Sequence, residues 1–151
     1  MNIIVKPHGS DLCYCRPDTT WERENKDFYV PDCVIEMHWA PVIFVRISKA
    51  GKCISPKFAS RYYDSYNYGT LLYCRPENGD SLISCADHTS LLPSPSLKTE
   101  ELKDDERMLV EDAICKASKL ISVRIGDYVA VELDETKRLT ASEIQGIKVI
   151  F

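Results

Sequence analysis

Apolar positions along the chain fall into short runs separated by Pro, Gly, Asp and charged clusters. Leu12 to Cys15, Phe28 to Val30 and Val34 to Trp39 each read as a brief strand. Val42-Ile43-Phe44-Val45-Arg46-Ile47 is the strongest strand signal. Its unbroken apolar start predicts burial on both faces until Arg46 emerges. Ala50-Gly51-Lys52 predicts a turn. Ser55-Pro56 then reads as a helix start, with a Ser cap oxygen and Pro at the first helical position. Phe58, Ala59, Tyr62, Tyr63 and Tyr66 follow at three- and four-residue spacing and predict one aromatic core-facing stripe.

Between Glu77 and Arg107 the pattern fades into an irregular, mobile connection. Asn78-Gly79-Asp80 predicts a turn, Pro93-Ser94-Pro95-Ser96 resists regular structure, and Lys98 to Arg107 is almost wholly charged. A second helix is predicted from about Glu106 to Ile121, with Met108, Leu109, Ala113, Ile114, Ala117, Leu120 and Ile121 on its apolar face. After Gly126-Asp127, Tyr128 to Leu133 predicts a strand, and Lys148 to Phe151 a final one. The periods imply an α+β chain, rich in strands, folded as one domain over residues 1–151.

Composition narrows the function classes. The chain has 151 residues, 44% hydrophobic and 28% charged, an ordinary globular balance. No apolar run approaches a membrane span, and the first residues lack a basic segment followed by a long apolar core. Nineteen Lys and Arg are scattered among 23 acidic residues for a net charge of −4, without the basic stripe a nucleic acid would need. A cytoplasmic chain is expected, with no membrane and no nucleic-acid partner. Its seven Cys, at 13, 15, 33, 53, 74, 85 and 115, are odd in number and irregularly spaced, so they read as reduced thiols, mostly small buried hydrophobes.

Structural zinc needs two close ligand pairs, and only Cys13-x-Cys15 and Cys85-x2-His88 approach that spacing. No Gly-rich phosphate loop follows a strand. Glu36-Met37-His38 is more specific, because residues two apart on a strand share a face. Glu36 and His38 could aim an oxygen and a nitrogen at one metal ion. A solvated strand face ahead of the core strand is the plainer alternative.

The same region resembles the fumarylacetoacetate hydrolase family over about Leu12 to Arg75. Arg16-Pro17-Asp18-Thr19 is similar to that family's Lys-Pro-x-Ser/Thr segment, and Phe28-Tyr29-Val30-Pro31-Asp32 to the strand and turn after it. Ile35-Glu36-Met37-His38-Trp39-Ala40-Pro41-Val42-Ile43 falls on the Glu-x-Glu strand. Lys49 to Ser55 falls on the following turn, and Phe58 to Asp64 on the helix preceding an Asp-x-x-x-Arg-Asp motif. A weaker match runs from Met108 through Ser118-Lys119 to Gly126-Asp127. The resemblance implies a β-rich mixed-sheet roll of the family's C-terminal type, with two or three helices, commonly dimeric. It also implies Mg²⁺ or Mn²⁺ on three carboxylates, polarising a 2-oxo acid or related dicarbonyl substrate.

Carried onto this chain, the pattern is mostly replaced. Glu36 keeps the first metal-ligand position, His38 stands at the second, and the aspartate position falls on Leu71. Arg75 keeps the motif's arginine but Pro76 follows it. Arg16 stands at the lysine, and His8 is the sole candidate for the early catalytic histidine. With one carboxylate left, no cofactor is expected, or Mg or Mn if the site persists. The resemblance thus implies a diverged relative without the family's hydrolase activity, acting in small-molecule binding or protein interaction. Its ligand would be a small 2-oxo acid, its assembly a homodimer. The competing expectation is a rebuilt metal-dependent enzyme using Glu36, His38 and a third ligand such as Asp64 or His88, with His8, Arg16 and Arg75 as catalytic candidates. A degraded fragment with no selected role is a third.

Overall fold

A computed structural model of the chain describes residues 1–83, 85–93 and 97–151. In chain order the strands are β1 (Asn2–Lys6), β2 (Tyr14–Pro17), β3 (Trp21–Glu22), β4 (Phe28–Tyr29), β5 (Val34–Ile47), β6 (Tyr63–Pro76), β7 (Ser90–Leu91) and β8 (Leu97–Lys98). The helix α1 (Asp104–Leu120) follows, then β9 (Tyr128–Glu132), β10 (Lys137–Arg138), β11 (Glu143–Ile144) and β12 (Ile147–Ile150). The main sheet runs β2-β1-β9-β5-β6-β7-β3, with β10 also on β5 and β8 on β6, and β11-β12-β4 form a small second sheet. It is mixed: β1 and β9 pair in parallel, as do β3 and β7, while β5 pairs antiparallel with both β6 and β9.

The α+β, strand-rich expectation holds, but among the described residues there is one α-helix, where two or three were expected, with three short 3-10 turns. Val34–Trp39 and Val42–Ile47 are one strand of 14 residues, antiparallel to a second strand of equal length, β6. Val42 to Val45 are buried as their apolar run requires, and Arg46 is only half-buried. Asn2–Lys6, which no alternation announces, is a strand because Ile3, Ile4 and Val5 are buried between β2 and β9. Near-continuous apolar residues suit a strand covered on both faces.

The helix expected from Ser55 to Tyr66 does not form. Ala59–Arg61 make a 3-10 turn, and Tyr63 already pairs with Ile47. The register advances from Ile47↔Tyr63 to Arg46↔Ser65, so Asp64 is an extra residue, a β-bulge. The bulge brings Tyr63 and Tyr66 to one face at a three-residue spacing that imitates a helix. The second helix is present, but Met108, Leu109, Leu120 and Ile121 are exposed. Its buried face is Val110, Ala113, Ile114, Ala117 and Ser118, packed on Ile4, Ile43, Val45 and Val129. Small residues there let the helix lie close to the sheet. The cysteines also differ from expectation: Cys74 and Cys115 are buried, whereas Cys15, Cys33, Cys53 and Cys85 are exposed. Pro93 is described, while the rest of the Pro93–Ser96 tract lies outside the described residues.

The other face of the sheet turns inward. Ile3, Val5, Ala40, Val42, Phe44, Leu71, Tyr73, Tyr128 and Ala130 fill the inside of the roll. Pro41 interrupts β5 at an informative place. Its carbonyl accepts the Leu133 N–H, on the side where β9 ends at Glu132↔Val42 and before β10 begins at Lys137↔Trp39. A proline lacking its N–H is tolerated where the neighbouring strand peels away. Leu133 to Thr136 bow out there and open the end of the roll.

Candidate functional site

Register places the chemistry on the inner face at this open end. Glu36 stands opposite Arg75, and His38 opposite Tyr73 on β6 and Arg138 on β10. Glu36 and His38 do share a face, as two-residue spacing predicts. The Arg138 Nε lies 2.9 Å from Glu36 Oε1, the Arg75 Nε 3.0 Å from Oε2, and the His38 Nε2 3.5 Å from Oε1. The Arg75 Nε and His38 Nε2 make no aligned hydrogen bond, so these two contacts are Coulombic. One carboxylate thus sits among two guanidiniums and an imidazole.

This donor set does not fit a divalent cation. A hard metal ion wants several anionic oxygens, whereas here each Glu36 oxygen already faces an arginine. Leu71, at the aspartate position, is fully buried in the apolar interior. The proposed third ligands stand elsewhere: Asp64 pairs with Arg46 at 3.2 Å, and His88 with Glu22 at 3.3 Å. Among the described residues, no three His, Cys, Asp or Glu side chains are grouped to share a metal ion.

Deeper in the roll lies a hydrogen-bonded chain with a single polarity. Arg16 is fully buried without a carboxylate in contact. Its Nη1 donates to the Thr89 carbonyl at 3.0 Å, and its Nη2 to the Leu72 carbonyl at 2.9 Å. Its Nε donates to the Tyr14 hydroxyl at 3.2 Å, Tyr14 donates to the Tyr73 hydroxyl at 2.7 Å, and Tyr73 donates to Glu132 Oε1 at 2.8 Å. The Arg16 guanidinium also lies 4.8 Å from the Tyr73 ring centre. Glu132 Oε2 receives the His8 backbone N–H at 3.3 Å. Burial pushes the Glu132 carboxyl above its ordinary 4.5, against the lowering effect of Tyr73, His8 and Arg16. Burial, together with Tyr14 and Glu132, pushes the Tyr73 hydroxyl far above the usual phenol range.

Tyr14, Tyr73 and Glu132 line a cavity of about 410 Å³ with Pro7, His8, Leu82, Glu135 and Thr136. His8 is exposed at its mouth and reaches Glu132 only through its backbone. Sequence reasoning singled out Arg16, Arg75, Glu36 and His38 but missed Arg138, Tyr14, Tyr73 and Glu132. Glu132 could have been noticed, as the single charged residue in an otherwise apolar strand. Arg138 gave no signal, because only pairing with β5 brings it to Glu36.

Neither a family model nor a curated protein matches this sequence. Solved structures do. A protein from Yersinia pestis CO92 assigned to the fumarylacetoacetate hydrolase family superposes with a TM-score of 0.72, at 13% identity over 99% of this chain and 92% of that one. The chain has the fumarylacetoacetate hydrolase-like fold. Maleylpyruvate hydrolase from Sphingobium sp. SYK-6, solved with manganese(II) and pyruvate, gives a TM-score of 0.75 at 15% identity, over 99% and 70% of the two chains. The 2-hydroxyhepta-2,4-diene-1,7-dioate isomerase from Mycobacterium marinum gives 0.73 at 12% identity, over 99% and 73%. No helix of the described chain is long and apolar enough to cross a membrane.

Proposed function

We propose that the chain is a single-domain, diverged member of the fumarylacetoacetate hydrolase family that has exchanged metal-dependent catalysis for metal-independent binding of a small carboxylate, a 2-oxo acid in the simplest case. The observation that carries this reading is the placement of Arg75 and Arg138 on the two oxygens of Glu36. Each arginine turns its Nε to Glu36, and its terminal nitrogens have no other partner among the described residues. Two guanidiniums and one carboxylate leave a net positive charge, and guanidinium forks match carboxylates in bidentate geometry. Glu36 then holds its neighbours in place instead of ligating a cation. A fold-neighbour solved with manganese(II) and pyruvate supports an acid of that size as the ligand. Seven cysteines, odd in number and irregularly spaced, suit a reducing, cytoplasmic setting, and a homodimer is the assembly we propose.

Calorimetry on metal-stripped protein tests the reading. Pyruvate or oxalate should bind without metal, and Arg75→Ala should abolish the heat. Micromolar Mn²⁺ binding lost in His38→Ala, or metal-dependent turnover of an acylpyruvate or oxaloacetate, would restore the metal-enzyme alternative and end this one.

A further inference from the structure

A second site lies farther along the inner face and asks for a ligand of opposite charge. Glu132 stands opposite Val42 and Arg138 opposite His38, four residues apart on β5, roughly 13 Å along the strand. Glu132 is only 5% exposed and forms no ion pair among the described residues. A buried carboxylate ordinarily has a cation in contact. Of the other two buried carboxylates, Glu22 has the His88 imidazole 3.3 Å away and Asp127 accepts the backbone N–H groups of Asn2 and Arg124. The nearest cation to Glu132 along its hydrogen bonds is Arg16, and two tyrosine hydroxyls intervene. Arg16 cannot swing toward the cavity, because its Nη atoms are committed to the Thr89 and Leu72 carbonyls.

The cavity in front of Glu132 is lined on its other polar sides by His8, Glu135 and Thr136, with no lysine or arginine among its lining residues. Tyr14, Tyr73, Pro7 and Leu82 give it apolar walls. At about 410 Å³ it falls in the range of small-ligand sites. The relay of hydroxyls steadies the carboxylate without neutralising it, since hydrogen bonds to the ionised form supply no counter-charge.

We propose that this cavity binds a small primary ammonium with a short apolar body, the ammonium meeting Glu132 and the carbon chain lying against Leu82 and the tyrosine rings. The proposal is independent of the carboxylate site and stands or falls without it. Glu135, exposed at the rim, adds attraction without desolvation.

Butylammonium, butyrate and 1-butanol serve as probes, followed through the backbone amide resonances of His8 and Thr136 in the full chain. Butylammonium should shift both amides saturably, and Glu132→Gln should weaken that binding at least about tenfold. Butyrate and 1-butanol should leave the amides unmoved. The contrast among the three probes on the unsubstituted chain decides the matter even if Glu132→Gln fails to fold. No shift with butylammonium, equal shifts with 1-butanol, or unchanged affinity in Glu132→Gln would each overturn the proposal.

Discussion

Arg138 approaches Glu36 Oε1 to 2.9 Å from β10, while Arg75 approaches the other oxygen to 3.0 Å from β6. The carboxylate therefore bridges two strands that flank β5 and do not pair with each other. Removing it leaves two guanidiniums and His38 facing one another. Glu36→Ala should cost on the order of 1 to 3 kcal/mol in urea unfolding. The side chain of Arg138 is 67% exposed, so Arg138→Ala should cost under about 1 kcal/mol. If both substitutions cost the same small amount, Glu36 holds nothing together.

Arg16 offers a sharper case, because its charge is wholly inside. Five acceptors on three segments take its N–H groups: the Tyr14 hydroxyl, the Thr89 carbonyl and hydroxyl, the Ser90 hydroxyl and the Leu72 carbonyl. Lysine keeps the charge but cannot span that fork. Arg16→Lys should therefore lose about 3 kcal/mol or more, since it leaves buried acceptors unmet around a buried ammonium. A thermal midpoint within a degree or two of the wild type would refute the structural role given to this residue.

Gly69 sits where β6 passes under Phe44. A methyl group there would collide with the Leu91 carbonyl and the Phe44 ring. Strand backbone on one side and a core ring on the other leave no cheap way to yield. Gly69→Ala should destabilise by about 1 to 3 kcal/mol. Gly9→Ala meets no atom and costs only its positive φ of 71°, about 1 to 2 kcal/mol. Denaturation midpoints of the two variants, with unchanged denaturant slopes, would order them.

How far the sequence carries can be judged from these same residues. The β5 core strand was legible, because four consecutive apolar residues can be buried on both faces in few other ways. The Glu36/His38 pair was legible as a shared face, since strand period fixes it without tertiary knowledge. The partner of that pair was not: Arg138 lies 100 residues from His38 and meets it only through the bow at Leu133 to Thr136. The tyrosine stripe misled for a definite reason, since one bulged residue, Asp64, converts a period of two into a spacing of three. Burial of Arg16 was likewise invisible, because two of its acceptors are backbone carbonyls that any sequence carries, and the hydroxyls of Thr89 and Ser90 reach it only through the fold.

Glu132 makes the stability of the fold depend on pH in an unusual direction. Burial raises its carboxyl above 4.5 in the folded chain. Between the unfolded and folded values, the folded state holds a proton that the unfolded state has released. Stability must then fall as pH rises through that window, and the contribution is fully present only below about 4.5. Ordinary paired carboxylates on the surface, such as Asp11 beside Lys116 and Asp134 beside Lys137, are lowered and act in the opposite sense at more acid pH. Glu132→Gln removes the raised group alone. The stability difference between wild type and Glu132→Gln, measured by urea unfolding from pH 4 upward, should therefore shift steadily in favour of the variant until Glu132 is ionised in the folded state, then level off. A difference that is flat across the range would mean that Glu132 titrates no differently in the folded and unfolded chains, and that the relay to Arg16 fully offsets its burial.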